Sequence, residues 1–210
     1  SGIDNVHGTY TGAAVVKMSG VERFHIETDG AAAIDLSNVT GLTTVFVDDD
    51  GTAGTTTLTD LPSGVGVKFS TGITASNLIV DLKDKANSDN ALTLELTAII
   101  TDSNIDIEDV ETLTIDVEVA SPLTDLAGLA MTTTGKTSVL NITGDSALTI
   151  SALHADVTTI DASGMSTGGT LTMTARSTSG AVTYTGSDGA DTLIMMHKND
   201  VLTSGAASDT

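Results

Sequence analysis

The sequence predicts an all-β chain folded as a parallel β-solenoid. Short runs that alternate apolar and polar residues recur along the chain, separated by clusters of Gly, Asp, Asn and Ser. Aromatic residues make up only 2% of the chain, so the core must come from aliphatic side chains and Thr methyl groups, which favours a narrow interior. Acidic residues near the C-terminal end repeat every nine residues, a period typical of stacked solenoid rungs. An antiparallel β-sandwich remains the structural alternative, particularly for residues 20–100.

The predicted strands follow one another at short, even intervals. In chain order they are VERFHIET, AAAIDLSN, LTTVFVDD, TTTLTDL, GVKFST, NLIVDLKD, ALTLELTA, VETLTIDVEV, SVLNITGD, ALTISAL, VTTIDASG, GTLTMTA, AVTYTG and DTLIMM. Two stretches depart from this pattern. Ser121 as an N-cap and Pro122 at the first helical position fit a short connecting helix in SPLTDLAGLAM. The acidic stretch TDSNIDIEDVE fits a loop or a single helical turn.

Internal similarity divides the chain into modules. The stretch that begins at Leu42 aligns without gaps with the stretch that begins at Val157, an offset of 115 residues. The segment GVERFHI also resembles DVETLTI further along the chain. We therefore predict a first β module over residues 1–107 and a second, related module over 108–184. Residues 185–210 form the start of a different repeat, which breaks off within its third copy.

Composition excludes several functional classes. The chain has 28 acidic and 8 basic residues, a formal net charge of −20. Nucleic acid is excluded as a partner because phosphate binding needs a basic patch, and no apolar run is long enough for membrane insertion. The carboxylates suit hard divalent cations, above all calcium, although charge alone also keeps a surface protein soluble. The absence of cysteine rules out disulfides, thiolate metal sites and a Cys nucleophile.

The final stretch, TGSDGADTLIMMHKNDVLTSGAASDT, carries the nine-residue period. In the calcium-binding β-roll repeat G-G-x-G-x-D-x-U-x, glycines shape the turn, Asp supplies charge and the large apolar residue U returns to the core. GSDGADTLI fits this repeat, and two degenerate copies follow it. The alternative is a set of Gly- and Asp-rich turns between ordinary strands. The positions predicted to bind Ca²⁺ are Gly186, Asp188, Gly189, Asp191, Asn199, Asp200 and Asp209.

The period also predicts where these residues lie. Two nonapeptides make one coil, which places Asp191 and Asp209 on one edge of the roll and Asp200 on the opposite edge. Left-handed backbone at the glycines is expected to aim carbonyl oxygens inward. Stacked carboxylates repel one another without the ion, so we expect this end to fold in a calcium-dependent way. Asp4 and Val6 repeat the same order near the start of the chain, like the last repeat of a preceding roll.

Other short motifs have structural explanations. GMSTG at 164–168 fits G-x-S-x-G, but a predicted strand follows where a nucleophile elbow needs a helix, so we interpret it as a turn. The acidic run DDDG at 48–51 lacks the later Glu of an EF-hand. His25 is expected on the solvent face of a strand and His7 and His154 in turns, with no His pair at zinc spacing on one element. We expect no catalytic residues and no enzyme.

These motifs resemble those of a known group of secreted proteins. A roll-like repeat that leads into a Gly-Val-Glu strand, SGIDNV followed by SGVERFHIET, and the later EDVETLTIDVE are similar to large RTX-type proteins. The Thr-, Ala- and Gly-rich strands, the absence of cysteine and GSDGADTL after VTYT resemble surface-layer (S-layer) proteins of Gram-negative bacteria, which are exported by type I secretion.

The resemblance implies a structural protein, secreted to the bacterial cell surface, that self-associates into a calcium-stabilised lattice. It also implies an uncleaved C-terminal export signal and anchoring to a cell-surface polysaccharide, both through parts outside this stretch, which looks like a fragment of a longer chain. A segment of a large RTX adhesin is the alternative, and a β-helix enzyme acting on polysaccharide comes third. A lattice protein should form ordered sheets with calcium, whereas an adhesin segment should stay monomeric and stiffen.

Overall fold

The computed structural model of the chain describes residues 2–49, 54–69, 73–74, 77–97, 100–101, 105–108, 110–119, 121–123, 138–150, 157–173, 180–194 and 197–210. These residues form an all-β structure without a helix, and all of their strand pairs are parallel. The fold is therefore the predicted parallel β-solenoid, and the antiparallel sandwich is wrong. No helix that could span a membrane occurs in this part of the chain.

Nineteen strands make up the described structure. They are β1 (Asn5–Ser19), β2 (Arg23–Thr40), β3 (Thr44–Asp49), β4 (Thr55–Leu61), β5 (Gly66–Phe69), β6 (Ile73–Thr74), β7 (Asn77–Leu82), β8 (Ala91–Leu96), β9 (Ile100–Thr101), β10 (Ile105–Glu108), β11 (Thr112–Val117), β12 (Ser121–Leu123), β13 (Ser138–Gly144), β14 (Leu148–Ile150), β15 (Val157–Met165), β16 (Leu171–Met173), β17 (Thr183–Thr185), β18 (Thr192–Leu193) and β19 (Val201–Thr203).

The strands stack into three faces. Face A consists of the first halves of β1 and β2, followed by β3, β5, β8, β11, β13, β15, β17 and β19. Face B consists of the second halves of β1 and β2, followed by β4, β7 and β10. Because β1 and β2 run through both faces, A and B form one 13-stranded sheet. Face C consists of the pair β6–β9 and the sheet β12–β14–β16–β18.

The length of one rung, measured between register partners on face A, changes along the solenoid. The first step joins Asn5 to Arg23 and the last joins Thr183 to Val201, so each has the length of two nonapeptides. Every step between them is longer, and the longest ones, such as the step from Gly66 to Thr93, exceed that length by half. Two nonapeptides therefore fit one rung at each end, whereas the middle rungs contain additional residues.

Mainly aliphatic ladders fill the interior, as the low aromatic content predicts. Strand side chains alternate between the core and the solvent, and parallel in-register pairing places equivalent residues directly above one another. One fully buried ladder on face A consists of Phe24, Val45, Val67, Leu94, Ile115 and Ile142. Its counterpart on face B consists of Ile34, Leu58, Val80 and Ile107.

One sheet crosses the boundary predicted between the first two modules. β8 lies within residues 1–107 and β11 within 108–184, and the two strands pair in parallel over their whole length. The 115-residue offset carries β3 onto β15 and β5 onto β17, which are all strands of face A. The similarity between the modules therefore corresponds to equivalent positions within one continuous stack.

Three local predictions were wrong. Ser121–Leu123 form β12, which pairs with Leu148–Ile150, because a residue before proline favours extended backbone; the remainder of the predicted helix lies outside the described residues. The acidic stretch contains β10, in which Ile105 and Ile107 face the core. His7 lies within β1 instead of a turn, and His154 lies outside the described residues. The turn predicted at GMSTG is confirmed for the last three residues of this motif, which lie between β15 and β16, whereas its first two residues end β15.

Candidate metal centre

Glycines in the final rungs allow close contact between backbones. A Cβ atom at Gly189 would overlap with the carbonyl oxygen of Gly169, and one at Gly205 would overlap with that of Ser187. Gly186 lies directly against Gly205. The three roll glycines do not have left-handed φ values, so the reason predicted for them is wrong. They are needed because adjacent rungs approach too closely for any side chain.

Asp191 lies at the centre of a buried polar cluster and is only 1% exposed. Its Oδ1 accepts hydrogen bonds from the Leu171 N–H and the Ser187 hydroxyl, both at 2.8 Å. Its Oδ2 accepts hydrogen bonds from the Ser187 N–H at 2.8 Å and the Tyr184 hydroxyl at 3.0 Å. Four donors therefore satisfy a carboxylate that would be costly to bury without partners.

Tyr184 joins this cluster to the aliphatic core. Its side chain is buried on face A, in register with Ile160 on one side and Leu202 on the other. Burial, and secondly the negative charge of Asp191, raise the pKa of the Tyr184 hydroxyl far above its usual value of 10.0. The hydroxyl consequently stays protonated and remains a donor to Asp191 across the physiological range.

Asp200 and Asp209 lie on the two edges that the nine-residue period predicts. Oδ1 of Asp209 accepts the Asp191 N–H at 3.0 Å, which stacks these two residues beside face C. Asp200 lies beside face A, where its Oδ1 accepts the Val182 N–H and its Oδ2 accepts the His197 N–H, both at 2.9 Å. The placement of the three aspartates on opposite edges is confirmed.

The remaining predicted ligands are two exposed side chains and two buried glycines. Asp188 and Asn199 are exposed side chains in separate turns, and the Asn199 N–H donates to Nδ1 of His197 at 3.2 Å. Gly186 and Gly189 are buried. Among the described residues, no group of three or more His, Cys, Asp or Glu side chains is arranged to hold a metal ion.

Two glutamates repeat the arrangement of the aspartates. Oε2 of Glu22 accepts the Asp4 N–H and Oε2 of Glu111 accepts the Asn90 N–H, both at 2.9 Å. In each pair the donor occupies the register-equivalent position one rung earlier. We call this arrangement a carboxylate clamp: an acidic side chain accepts a backbone N–H from the register-equivalent residue of the previous rung. The described clamp residues are Glu22, Glu111, Asp191, Asp200 and Asp209.

The sequence contained a signal for these clamps. The similarity between GVERFHI and DVETLTI places Glu22 and Glu111 at the same position of the motif, directly before β2 and β11. The similarity predicts related modules, but by itself it predicts no function for the two glutamates. A repeated acid just before a strand is the pattern that indicates an N–H acceptor between rungs.

A ladder of planar rings lies on the outer side of face A. His7, His25 and Phe46 are in register on β1, β2 and β3, with ring centroids 4.1 Å apart at each step. Nδ1 of His25 lies 3.9 Å from Oδ2 of Asp48. Burial, followed by the neighbouring His7, lowers the pKa of His25, while Asp48 opposes the shift. The predicted solvent-facing position of His25 is confirmed. The stacking of the three rings could not be predicted from the sequence, because it depends on the strand register.

Among the predicted ligands within the described residues, Asp209 is the one whose surroundings best suit a cation. Four donors converge on the two oxygens of Asp191, so this carboxylate does not fit as a ligand in the observed arrangement. Asp209 fits better, because its Oδ2 is shielded from solvent and has no hydrogen-bond partner. A buried carboxylate oxygen without a donor is an acceptor that a hard cation can satisfy.

No protein-family model, curated protein or solved structure matches this chain. The strand pairing defines the class of the parallel β-solenoids, and a fold of this class does not by itself define a function.

Proposed function

We propose that this chain is a structural segment of a secreted bacterial surface protein and contributes a stiff β-solenoid to an S-layer lattice. The observation that carries this proposal is the continuous parallel pairing of face A from β1 to β19 over buried aliphatic ladders. Each rung contacts its neighbours along one axis, which produces an elongated element suited to spacing and connecting other parts of an assembly.

The charge distribution supports a calcium-dependent assembly. The net charge of −20 makes the sides of two solenoids repel each other at low ionic strength. Divalent cations reduce this repulsion and are bound by carboxylate oxygens. Lateral association of copies is therefore expected when calcium is present and is opposed when it is removed.

Within one copy, calcium is expected to act on the last rung through Asp209. The Oδ2 atom of this residue is shielded from solvent and has no hydrogen-bond partner, while Oδ1 accepts the Asp191 N–H. A bound ion would supply positive charge beside the aspartates of the final rungs. Because it binds the folded state, it would raise the melting temperature as its concentration rises.

The roles of the interior acids favour a scaffold over an enzyme. A polysaccharide hydrolase needs two carboxyl groups that flank a groove. Asp191 and Glu111 are buried and accept backbone N–H groups from the preceding rung. An adhesin segment shares the solenoid but does not self-associate, so assembly of the isolated chain distinguishes it from a lattice protein.

The test combines calcium calorimetry, thermal unfolding and electron microscopy on the 210-residue chain. Saturable binding, a higher melting temperature than with chelator and calcium-dependent ordered sheets are expected. Asp209→Asn should reduce binding, because the amide keeps an acceptor for the Asp191 N–H but removes the charge. Asp89→Asn, at an exposed position far from the last rung, is the matched control. Calcium binding without sheets would favour the adhesin. The absence of both calcium binding and sheets would overturn the proposal.

A further inference from the structure

Two histidines lie side by side on the outer surface of face A. His7 belongs to β1 and His25 to β2, and parallel pairing places the two residues in register. Their rings stack with centroids 4.1 Å apart and an interplanar angle of 12°. The sequence has no histidine pair at metal-binding spacing on one element. This histidine pair therefore exists only because the register brings two strands together.

The histidine pair borders a small polar cavity on the side of the solenoid. The cavity has a volume of about 140 Å³, and its lining includes His7, His25, Thr9, Glu27 and Asp48. His7 is exposed and His25 is half-buried, so solutes in water have access to both imidazoles. The carboxylates of Glu27 and Asp48 make the cavity favourable for a cation and unfavourable for an anion.

Asp48 determines which nitrogen of His25 is available to a ligand. Its Oδ2 lies 3.9 Å from Nδ1 of His25, within the distance of an ion pair. A carboxylate beside one ring nitrogen favours a proton on that nitrogen and leaves the lone pair on the other. Histidines that bind metals are usually oriented by a carboxylate or carbonyl in this way. Asp48 is therefore a positioning residue, and Nε2 of His25 is the atom free to bind.

The separation of the two rings suits a single transition-metal ion. Zinc–imidazole bonds are about 2.0–2.1 Å long, so two of them span up to about 4.2 Å. The 4.1 Å between the ring centroids lies within this span, and the broad χ2 torsion of histidine allows the rings to tilt toward one ion. Among the described residues no group of three or more His, Cys, Asp or Glu side chains is arranged to hold a metal. Water would therefore complete the coordination of an ion bound by two imidazoles.

We propose that His7 and His25 bind one divalent transition-metal ion, of the zinc, nickel or copper class, through one imidazole nitrogen each. These ions prefer imidazole ligands, whereas calcium prefers oxygen. The bound ion joins β1 to β2 and so fastens the first rung to the second. The site differs from Asp209 in the last rung both in position and in ligand chemistry. The inference goes beyond the proposed function and does not depend on it.

Zinc calorimetry on the 210-residue chain tests the site. Calcium is kept in excess, so that carboxylates elsewhere on the acidic surface are already occupied. The unmodified chain should bind one zinc ion. Asp48→Asn should weaken zinc binding about tenfold, because the ligands remain but one loses its orienting partner. His7→Phe and His25→Phe should weaken it by more, because each removes a ligand while keeping an aromatic ring in the stack.

His197→Ala is the matched control, because it removes an imidazole from the last rung, which lies outside the cavity. This variant should bind zinc with unchanged affinity. Thermal melts supply a second readout, since an ion that binds only the folded chain raises its melting temperature. Zinc should raise the melting temperature of the unmodified chain and of His197→Ala, but not that of His25→Phe.

NMR titration of the unmodified chain identifies the ligands directly and does not depend on the folding of any variant. Zinc should shift the ring signals of His7 and His25 together and leave those of His197 in place. A shift of only one of the paired rings would show binding to an isolated imidazole and overturn the proposal. Absence of zinc binding, unchanged binding by His25→Phe, or an equal loss in His197→Ala would overturn it as well.

Discussion

The middle rungs and the last rungs of this solenoid are held together by different interactions. In the middle, Ile115 lies in register between Leu94 and Ile142, and all three are fully buried. Near the C-terminal end, the buried volume is instead occupied by Asp191 and the donors around it. Adjacent rungs are joined by apolar stacking in one region and by charge-assisted hydrogen bonds in the other.

The amount of strand in each rung accounts for this difference. The longer rungs of the middle have room for several core-facing aliphatic side chains. The final rung, which is only as long as two nonapeptides, consists largely of turns, whose backbone N–H groups need acceptors. The free energy of unfolding should therefore depend on buried side-chain volume in the middle rungs. Near the C-terminal end it should depend on the carboxylate oxygens that accept hydrogen bonds.

Asp191→Ala should produce the largest loss of stability. Four buried donors lose their acceptor, and each costs about 1–3 kcal/mol when left unpaired, so we expect destabilisation of about 4 kcal/mol after partial relaxation. Urea unfolding measures the total effect. Amide exchange at Leu171 and Ser187 should accelerate selectively, because both N–H groups donate to Asp191.

The matched control is Asp188→Ala, which removes an exposed carboxylate from the same turn. Its effect should stay within about 0.5 kcal/mol. Equal destabilisation by the two variants would show that general loss of negative charge, and not the hydrogen-bond cluster, determines stability at this end.

Ile115→Ala should produce the next largest effect. The side chain is fully buried within a ladder of six, and truncation of a buried isoleucine costs about 2–5 kcal/mol because a cavity remains. We expect about 3 kcal/mol by urea unfolding, and Ile115→Val should cost about 1 kcal/mol. A loss from Ile115→Ala no greater than that from Ile115→Val would contradict a volume-dependent middle.

The fold was predictable because its signals are periodic. The alternation within strands and the nine-residue beat both survive in the structure. Strand β12 was missed because Ser121 and Pro122 carry the local chemistry of a helix start, and pairing with β14 decides the conformation. His7 was predicted in a turn but lies in β1, where the neighbouring Gly8 leaves room for the Tyr10 ring.

The site was only partly predictable. The spacing correctly placed Asp191 and Asp209 on one edge and Asp200 on the other. The donors to these carboxylates come from the preceding rung, such as Leu171 and Val182, and rung lengths vary along the chain. Identification of the donors therefore requires the register, which the sequence does not specify for unequal rungs.

The two glutamate clamps allow the effect of burial to be measured at constant geometry. Both accept a backbone N–H at 2.9 Å, but Glu111 is 5% exposed whereas the Glu22 hydrogen bond lies at the surface. Glu111→Ala should cost about 2 kcal/mol, because it leaves a buried N–H without its acceptor. Glu22→Ala should cost about 0.5 kcal/mol, because water replaces the carboxylate.

Unfolding in urea and exchange of the Asn90 and Asp4 amides measure the two effects. Gln at either position retains an acceptor and should recover most of the loss. Equal costs for the two alanine variants would mean that hydrogen-bond geometry, and not burial, determines the strength of a clamp.

The smallest expected effect is the pH dependence of the ring ladder at the opposite end of the solenoid. Burial, followed by His7 and Arg23, lowers the pKa of His25 below its ordinary value of 6.5, and Asp48 opposes the shift. The unfolded chain therefore binds a proton at a higher pH than the folded chain does. The stability that neutral His25 contributes to the folded state is complete above pH 6.5. It is lost as the pH falls through the lowered pKa of His25.

Thermal melts between pH 7.5 and 5.5 should consequently show a small decrease in melting temperature. His25→Phe should remove most of this decrease, because an untitratable ring can still stack on Phe46. His7→Phe should reduce it, since the repulsion from His7 would be lost while Asp48 still favours the protonated form. A His25 pKa of 6.5 or higher, measured by NMR titration, would contradict this assignment. Sensitivity of stability to charge would then be specific to the C-terminal end, which contains Asp191, Asp200 and Asp209.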